Sequence, residues 1–285
     1  MELLPQHLVN GLIIGSIYAL VAMGLSLIFS IMRVVNMSHG ELYMLGGYMC
    51  WFMVTKLTGN FWLGIILAAA GGAGIGFAIE RILFRPIYGK PLINQLIVSL
   101  GLLVILQEAV FWTAGGRVKG FLVPYPTVRE IGNVFIPDQR IIAVAIAVAV
   151  SVGIILFLRK TKTGKAMRAA AENRLAAGMV GIDINRMSSL AFGIGVATTS
   201  MTGALLAPVF ALTPYVGIRM TAIAFVIIVT GGMGSIGGAV IASYIIGIVE
   251  SLFGAYASLE WSFAVAFVIM IVILMVRPLG LFGRE

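Results

Sequence analysis

The sequence predicts an all-α, polytopic membrane protein with about eight to nine transmembrane helices, including short broken ones. Three observations predict it. Of the 285 residues 60% are hydrophobic and only 11% are charged, whereas a soluble domain carries about 25% charged residues. Runs free of Asp, Glu, Lys and Arg recur at the length needed to cross a bilayer, residues 8–32 and 57–79 first among them. The net charge of +8 is gathered between such runs, above all at 159–187. In a membrane protein such an excess marks the cytoplasmic face rather than nucleic-acid binding.

Taken in order, residues 8–32 form the first span, too long for the apolar part of a cleavable signal. Gly11 and Gly15 give it a small-xxx-small face for close packing. Arg33 and a polar stretch with Asn36, Ser38, His39 and Glu41 follow, then a run at 42–55 that is short for a full crossing. Residues 57–79 span, and Gly71, Gly72, Gly74 and Gly76 let a neighbour approach. Arg81, Arg85 and Lys90 mark a cytoplasmic connection broken by Pro86 and Pro91. Residues 92–113 span with Gln107 and Glu108 inside them, and 115–139 read as an outer loop of nearly balanced charge. Residues 141–158 lead into the basic interval, and 187–218 span outward, with Pro208 and Pro214 bending or ending the helix. Residues 220–249 are cut by VTGGMGSIGGAV, which reads as two half-length helices about a glycine break. Glu250 and Glu260 bracket a short outer turn, and 261–276 form the last span before Arg277, Pro278 and Arg284. The parity places the N-terminus outside and the C-terminus inside. The lone Cys50 excludes an intrachain disulfide.

The basic interval carries seven Lys or Arg against Glu172 and Asp183, a local charge of +5. Ala166 to Ala177 favour helix, with Met167, Ala171, Leu175 and Met179 as a stripe at i+4 and Arg168–Glu172 as an i,i+4 pair. Such a helix either docks into a groove on a partner or is an ordinary basic loop.

Two glycine-bearing breaks near opposite ends of the chain, 36–48 and 230–244, fit a weak internal repeat. Paired breaks of this kind either build a transport path or lie at the membrane face as loops. Asn36, Ser38, His39 and Glu41, with Gly231, Gly232, Gly234 and Ser235, are the candidate path residues. His39 and Glu41, being i,i+2, do not face each other; with His7 the only other histidine, no metal site is expected. Hydrogen bonding or helix capping suits Asn36, Ser38 and Glu41 better. Glu80 is expected to pair with Arg81 or Arg85, while Glu108 has no evident partner. GMGSIG lacks a βαβ frame and Gly164-Lys165 lacks the rest of a P-loop. With no nucleophile–base set either, the chain is not expected to be an enzyme or to hold a cofactor.

VVNMSHGELYMLGGY, GKAMRAAAENRLAAGMVGIDINRM and TGGMGSIGGAVIASYIIGIVE together resemble the permease subunits of bacterial ABC importers for branched-chain amino acids, the LivH-type family. ERILFRP and the closing RPLGLFGR also fit, and the likeness covers nearly the whole chain. The resemblance implies one permease domain, 1–285, in the bacterial inner membrane, with residues 159–187 as its cytoplasmic coupling segment. It implies two separate ATP-binding cassette subunits that hold the ATP, a second related permease subunit and a periplasmic substrate-binding protein. Met167, Arg168, Ala171, Glu172, Leu175 and Gly178 become the implied contacts to the ATPase. Branched-chain or other hydrophobic amino acids are the implied cargo, with urea, amides and aromatic acids as alternatives within the family and a stand-alone secondary transporter as the alternative outside it.

Overall fold

The computed structural model describes residues 4–132 and 134–283; Arg284 of the expected basic stop lies outside them. α1 (Leu4–Met32) has 29 residues, about 43 Å at 1.5 Å per residue. Arg33 then turns the chain through the left-handed region at φ 52°, and residues 34–38 run back along α1 without regular structure. α2 (His39–Phe52) starts where His39 Nε2 lies 3.2 Å from the carbonyl oxygen of Val21. Val21 is about 16 Å inside the end of α1. The short run at 42–55 is therefore a half-length helix that begins at membrane depth and leads into a π-helical turn, Met53–Thr58.

α3 (Phe61–Ile79) is capped by Asn60, whose Oδ1 accepts from Leu63 N at 3.2 Å, and ends in a π-helical turn, Glu80–Phe84. Pro86 sits in a single 3₁₀ turn, and α4 (Leu92–Ala114) starts directly after Pro91. The expected loop at 115–139 contains a hairpin instead: β1 (Val128–Ile131) pairs antiparallel with β2 (Val134–Pro137), Val128 opposite Pro137. Gln6 binds its edge, accepting from Phe135 N at 2.7 Å and donating to Phe135 O at 3.1 Å. The start of α1 and the hairpin thus share one end of the molecule.

α5 (Asp138–Lys160) runs to the opposite, basic end, where α6 (Lys162–Glu172) and α7 (Arg174–Met179) lie. α8 (Ile184–Leu206) returns toward the hairpin end. Residues 207–215 re-enter without helix, and α9 (Val216–Gly231) starts at depth and runs to the basic end. α10 (Ile236–Tyr256) and α11 (Ser262–Val276) complete the chain. Among the described residues six helices, α1, α3 with the turns that follow it, α4, α5, α8 and α10, are long and apolar enough to cross a membrane, and α9 and α11 are shorter apolar helices. With half-length α2 they match the expected eight to nine segments of a multi-pass membrane protein.

α1–α4 and α8–α11 pack as inverted copies. α1 lies on α10, its counterpart α8 lies on α3, and α2 lies on α9. Small residues permit this closeness. A Cβ on Gly11 or Gly15 would meet the backbone of Ile248 or Tyr244, and one on Gly72 or Gly76 would meet Ser200 or Val196. Gly74 faces open space. The internal repeat is thus present, but its second break is 207–215. The glycine-rich stretch in 220–249 does not divide one span into half-length helices. It is a reversal at the basic end, with Gly232 and Gly234 at φ 99° and 87°, joining α9 to a 21-residue α10.

Candidate functional site

The two helices that start at membrane depth meet at their first turns. Gly40 N donates to Thr221 Oγ1 at 2.9 Å, and Glu41 lies against Gly217, where a Cβ would collide with its carboxylate. Gln107 of α4 donates to Glu41 Oε1 at 2.9 Å. His39 points the other way. Its Nε2 lies 2.8 Å from Thr199 Oγ1 and 3.2 Å from Val21 O. Because Thr199 donates to Gly195 O, the imidazole N–H donates to both. Asn36 Oδ1 accepts from Ser38 N at 3.1 Å and Ser38 Oγ at 2.7 Å. Ser38 occupies the N-cap position of α2 without a side-chain cap bond, so the expected capping role is replaced by this local turn.

Asn36, Ser38, His39 and Glu41 are all fully buried, and Asn36 Nδ2, His39 Nδ1 and Glu41 Oε2 have no partner among the described residues. Irregular backbone at membrane depth is tolerated where it is buried in protein, and this polar knot lies buried where the two repeats touch. Gly231, Gly232, Gly234 and Ser235 do not join it. Their turn sits at the basic end beside Ser30 of α1. The chain's tail covers it, Leu281 N donating to Thr230 O at 2.9 Å and Phe282 N to Gly231 O at 3.1 Å. Ser235 caps α10 by accepting from Gly238 N.

A second polar centre escaped the sequence reading. Glu250 does not bracket an outer turn: it lies six residues before the end of α10 and is only 6% exposed. Tyr18 donates to Glu250 Oε2 at 2.8 Å and Arg219 Nη2 donates to Oε1 at 2.7 Å. Arg219, in the first turn of α9, lies over the Phe263 ring of α11. Glu108, by contrast, is exposed near the hairpin end of α4.

The basic segment is not one continuous helix. Asn173 leaves the helical region at φ −147° and caps α7, accepting from Ala176 N at 3.0 Å. The break rotates the expected stripe apart. Met167 is fully buried and fastens α6 to the bundle, along with Gly164 and Ala170, rather than facing outward. Ala171 is half-buried, whereas Leu175, Met179 and Val180 are about 80% exposed. Arg168, Glu172 and Gly178 are exposed, and Arg168 and Glu172 form no ion pair with each other.

One contact chain ties this segment to the core. Arg174 stacks on Tyr88 at 4.9 Å, and Tyr88 donates to Glu80 at 2.9 Å. Burial, then the Glu80 charge, holds the Tyr88 phenol above its usual range, so it stays a donor. Glu80 also accepts from Arg85 at 2.9 Å and Ser189 of α8 at 2.7 Å. Arg85, not Arg81, is thus the expected partner of Glu80.

Comparison with known proteins gives a full-length match. The family described as branched-chain amino acid transport system / permease component matches residues 7–274. The high-affinity branched-chain amino acid transport system permease protein LivH of Escherichia coli is 32% identical over 98% of this chain and 95% of its own length. BraD of Pseudomonas aeruginosa, a permease protein of the same description, is 32% identical with the same coverage. A probable LivH of Methanocaldococcus jannaschii is 25% identical over 97% of this chain and 91% of its own. No solved structure matches the chain.

Proposed function

The chain belongs to the family of permease components of branched-chain amino acid transport systems, and on that premise we propose that it forms the membrane path of an ABC importer for branched-chain or other hydrophobic amino acids. The observation that carries this reading is the meeting of two inverted half-length helices, α2 and α9, at the buried knot of Asn36, Ser38, His39 and Glu41. Transport folds place their sites where such repeats touch. The basic end faces the cytoplasm by its charge, which puts the tail and α6–α7 inside and the β1–β2 hairpin on the periplasmic side of the inner membrane. Two separate ATP-binding cassette subunits bind and hydrolyse the ATP. A second, related permease completes the membrane unit, and a periplasmic binding protein delivers the amino acid.

Leu175, Met179 and Val180, exposed beside Arg168 and Glu172, form the face offered to an ATPase subunit. Its push travels through Arg174, Tyr88 and Glu80 to α3 and α8. Proteoliposomes holding the assembled importer, with binding protein outside and ATP inside, test the reading by leucine uptake. Arg168→Ala or Glu172→Ala should leave expression normal and lower uptake about tenfold, the equivalent of losing one charged hydrogen bond of roughly 1.5 kcal/mol. Unchanged uptake in both variants counts against the coupling assignment. One observation favours a second reading: Glu41, His39, Arg219 and Glu250 supply the intramembrane ionisable groups that ion-coupled carriers use. Uptake driven by an ion gradient, in vesicles holding this chain alone, would decide for a stand-alone carrier.

A further inference from the structure

Arg219 is the one charged side chain of α9. It sits at membrane depth: α9 starts beside Glu41, and Tyr18, which shares Glu250 with it, is the central residue of α1. Its side chain is nevertheless 55% exposed. A cation facing hydrocarbon costs about 3 kcal/mol, so this face of α9 meets water or protein, not lipid.

We propose that Arg219 takes the carboxylate of the transported amino acid, with Glu250 and Tyr18 as positioning residues. The inference rests on the reading of the chain as an amino-acid path. Glu250 is engaged at both oxygens, each accepting one hydrogen bond, and its side chain is 7% exposed. Arg219 has donors to spare: among the described residues it donates one hydrogen bond, through Nη2, and a guanidinium has five N–H donors. The open edge of that planar fork matches a carboxylate in two parallel bonds. Phe263, 5.3 Å from the guanidinium carbon, lies against the group and limits its rotation. Tyr215 and Ile218, both about half exposed beside it, offer apolar surface to an aliphatic side chain. A carboxylate held here loads α9 directly, and α9 touches Glu41 and α2 through Gly217 and Thr221 on its other side.

The test uses Arg219→Cys with Cys50→Ser, in the assembled importer reconstituted with its binding protein. Cys50 is buried and is the chain's single cysteine, so the new thiol is the chain's sole target. A membrane-impermeant, cationic thiol reagent added from the binding-protein side should label it. Leucine with binding protein should slow labelling about fivefold or more, and uptake should be about tenfold below wild type before labelling. No labelling, or labelling that leucine does not slow, overturns the proposal. If the cysteine variant fails to assemble, Arg219→Lys decides: it keeps the charge and loses the fork, and uptake equal to wild type per assembled complex overturns the proposal. A wild-type complex that takes up no amino acid instead removes the functional reading, a result the labelling pattern cannot produce.

Discussion

Gly46→Ala is expected to prevent the bundle from assembling. A Cβ at position 46 would overlap the backbone carbonyl of Ser200, and one at Gly203 would overlap that of Tyr43. Backbone faces backbone on both sides, so no side chain can move aside and α2 and α8 must separate. Overpacking typically costs about 1–3 kcal/mol, and a rigid contact of this kind belongs at or above the upper bound. α2 is half-length and buried against α8, α9 and α3, and the bonds of His39 to Thr199 and of Gly40 to Thr221 hold only while α2, α8 and α9 stay together. Two controls separate this clash from a general intolerance of alanine. At Gly47 the nearest atom is the tip of the Leu212 side chain, which can yield, and at Gly74 nothing lies within 4 Å. Gly46→Ala should therefore lose detergent-extracted folded protein, Gly47→Ala should lower the thermal midpoint modestly, and Gly74→Ala should match wild type. Equal stability of the Gly46 and Gly74 variants would sink this account of the α2–α8 contact.

The spans were legible because a bilayer imposes a composition that a linear scan can see, and the basic interval stood out for the same reason. The two breaks were legible only in part. Asn36 to Glu41 stood out because polar residues interrupt an apolar stretch, and they do sit where the repeats meet. Glycine density places the equivalent break at 230–244, yet Gly232 and Gly234 serve positive-φ positions in a turn at the basic end. The true counterpart, 207–215, is mostly apolar and signals itself only through Pro208 and Pro214, which also end ordinary helices. Arg219 and Glu250 were hidden differently. Each interrupts a long apolar run once, and a single charge between such runs reads as a loop marker. Only the fold shows that the two charges lie opposite each other on α9 and α10, where Tyr18 and a mutual ion pair make them tolerable inside the bundle. The stripe on α6–α7 failed at Asn173, whose amide competes for the backbone and starts a new helix. The i+4 arithmetic beyond it no longer describes one surface.

Glu80→Ala should both loosen the basic end and disconnect α6–α7 from the core. Glu80 is fully buried and accepts from Arg85, Tyr88 and Ser189, so one side chain joins the end of α3, the following turn and the start of α8. Removing it leaves Tyr88 without its acceptor, Ser189 with only the carbonyl of Asn185, and Arg85 without its counter-charge. Breaking a buried pair by deleting one partner costs about 3–5 kcal/mol. The lower end applies here, because Arg85 keeps 32% of its side chain exposed and water can solvate it. Glu80→Gln keeps the shape and one acceptor oxygen, loses the charge and turns the other oxygen into a donor, and should cost less than Glu80→Ala because part of the hydrogen bonding survives. Thermal unfolding in detergent should therefore rank wild type above Glu80→Gln above Glu80→Ala. The mechanical role needs its own measurement, because a destabilised end could lower uptake for trivial reasons. Tyr88→Phe removes one hydrogen bond and keeps the ring on which Arg174 stacks, so its stability should change by only about 1 kcal/mol. If force reaches α3 and α8 through this contact, Tyr88→Phe should lower leucine uptake per ATP hydrolysed well beyond what that loss of stability explains. A ratio of uptake to hydrolysis equal to wild type would mean that the push from the ATPase enters the bundle elsewhere, with Met167 and the buried face of α6 as the remaining route.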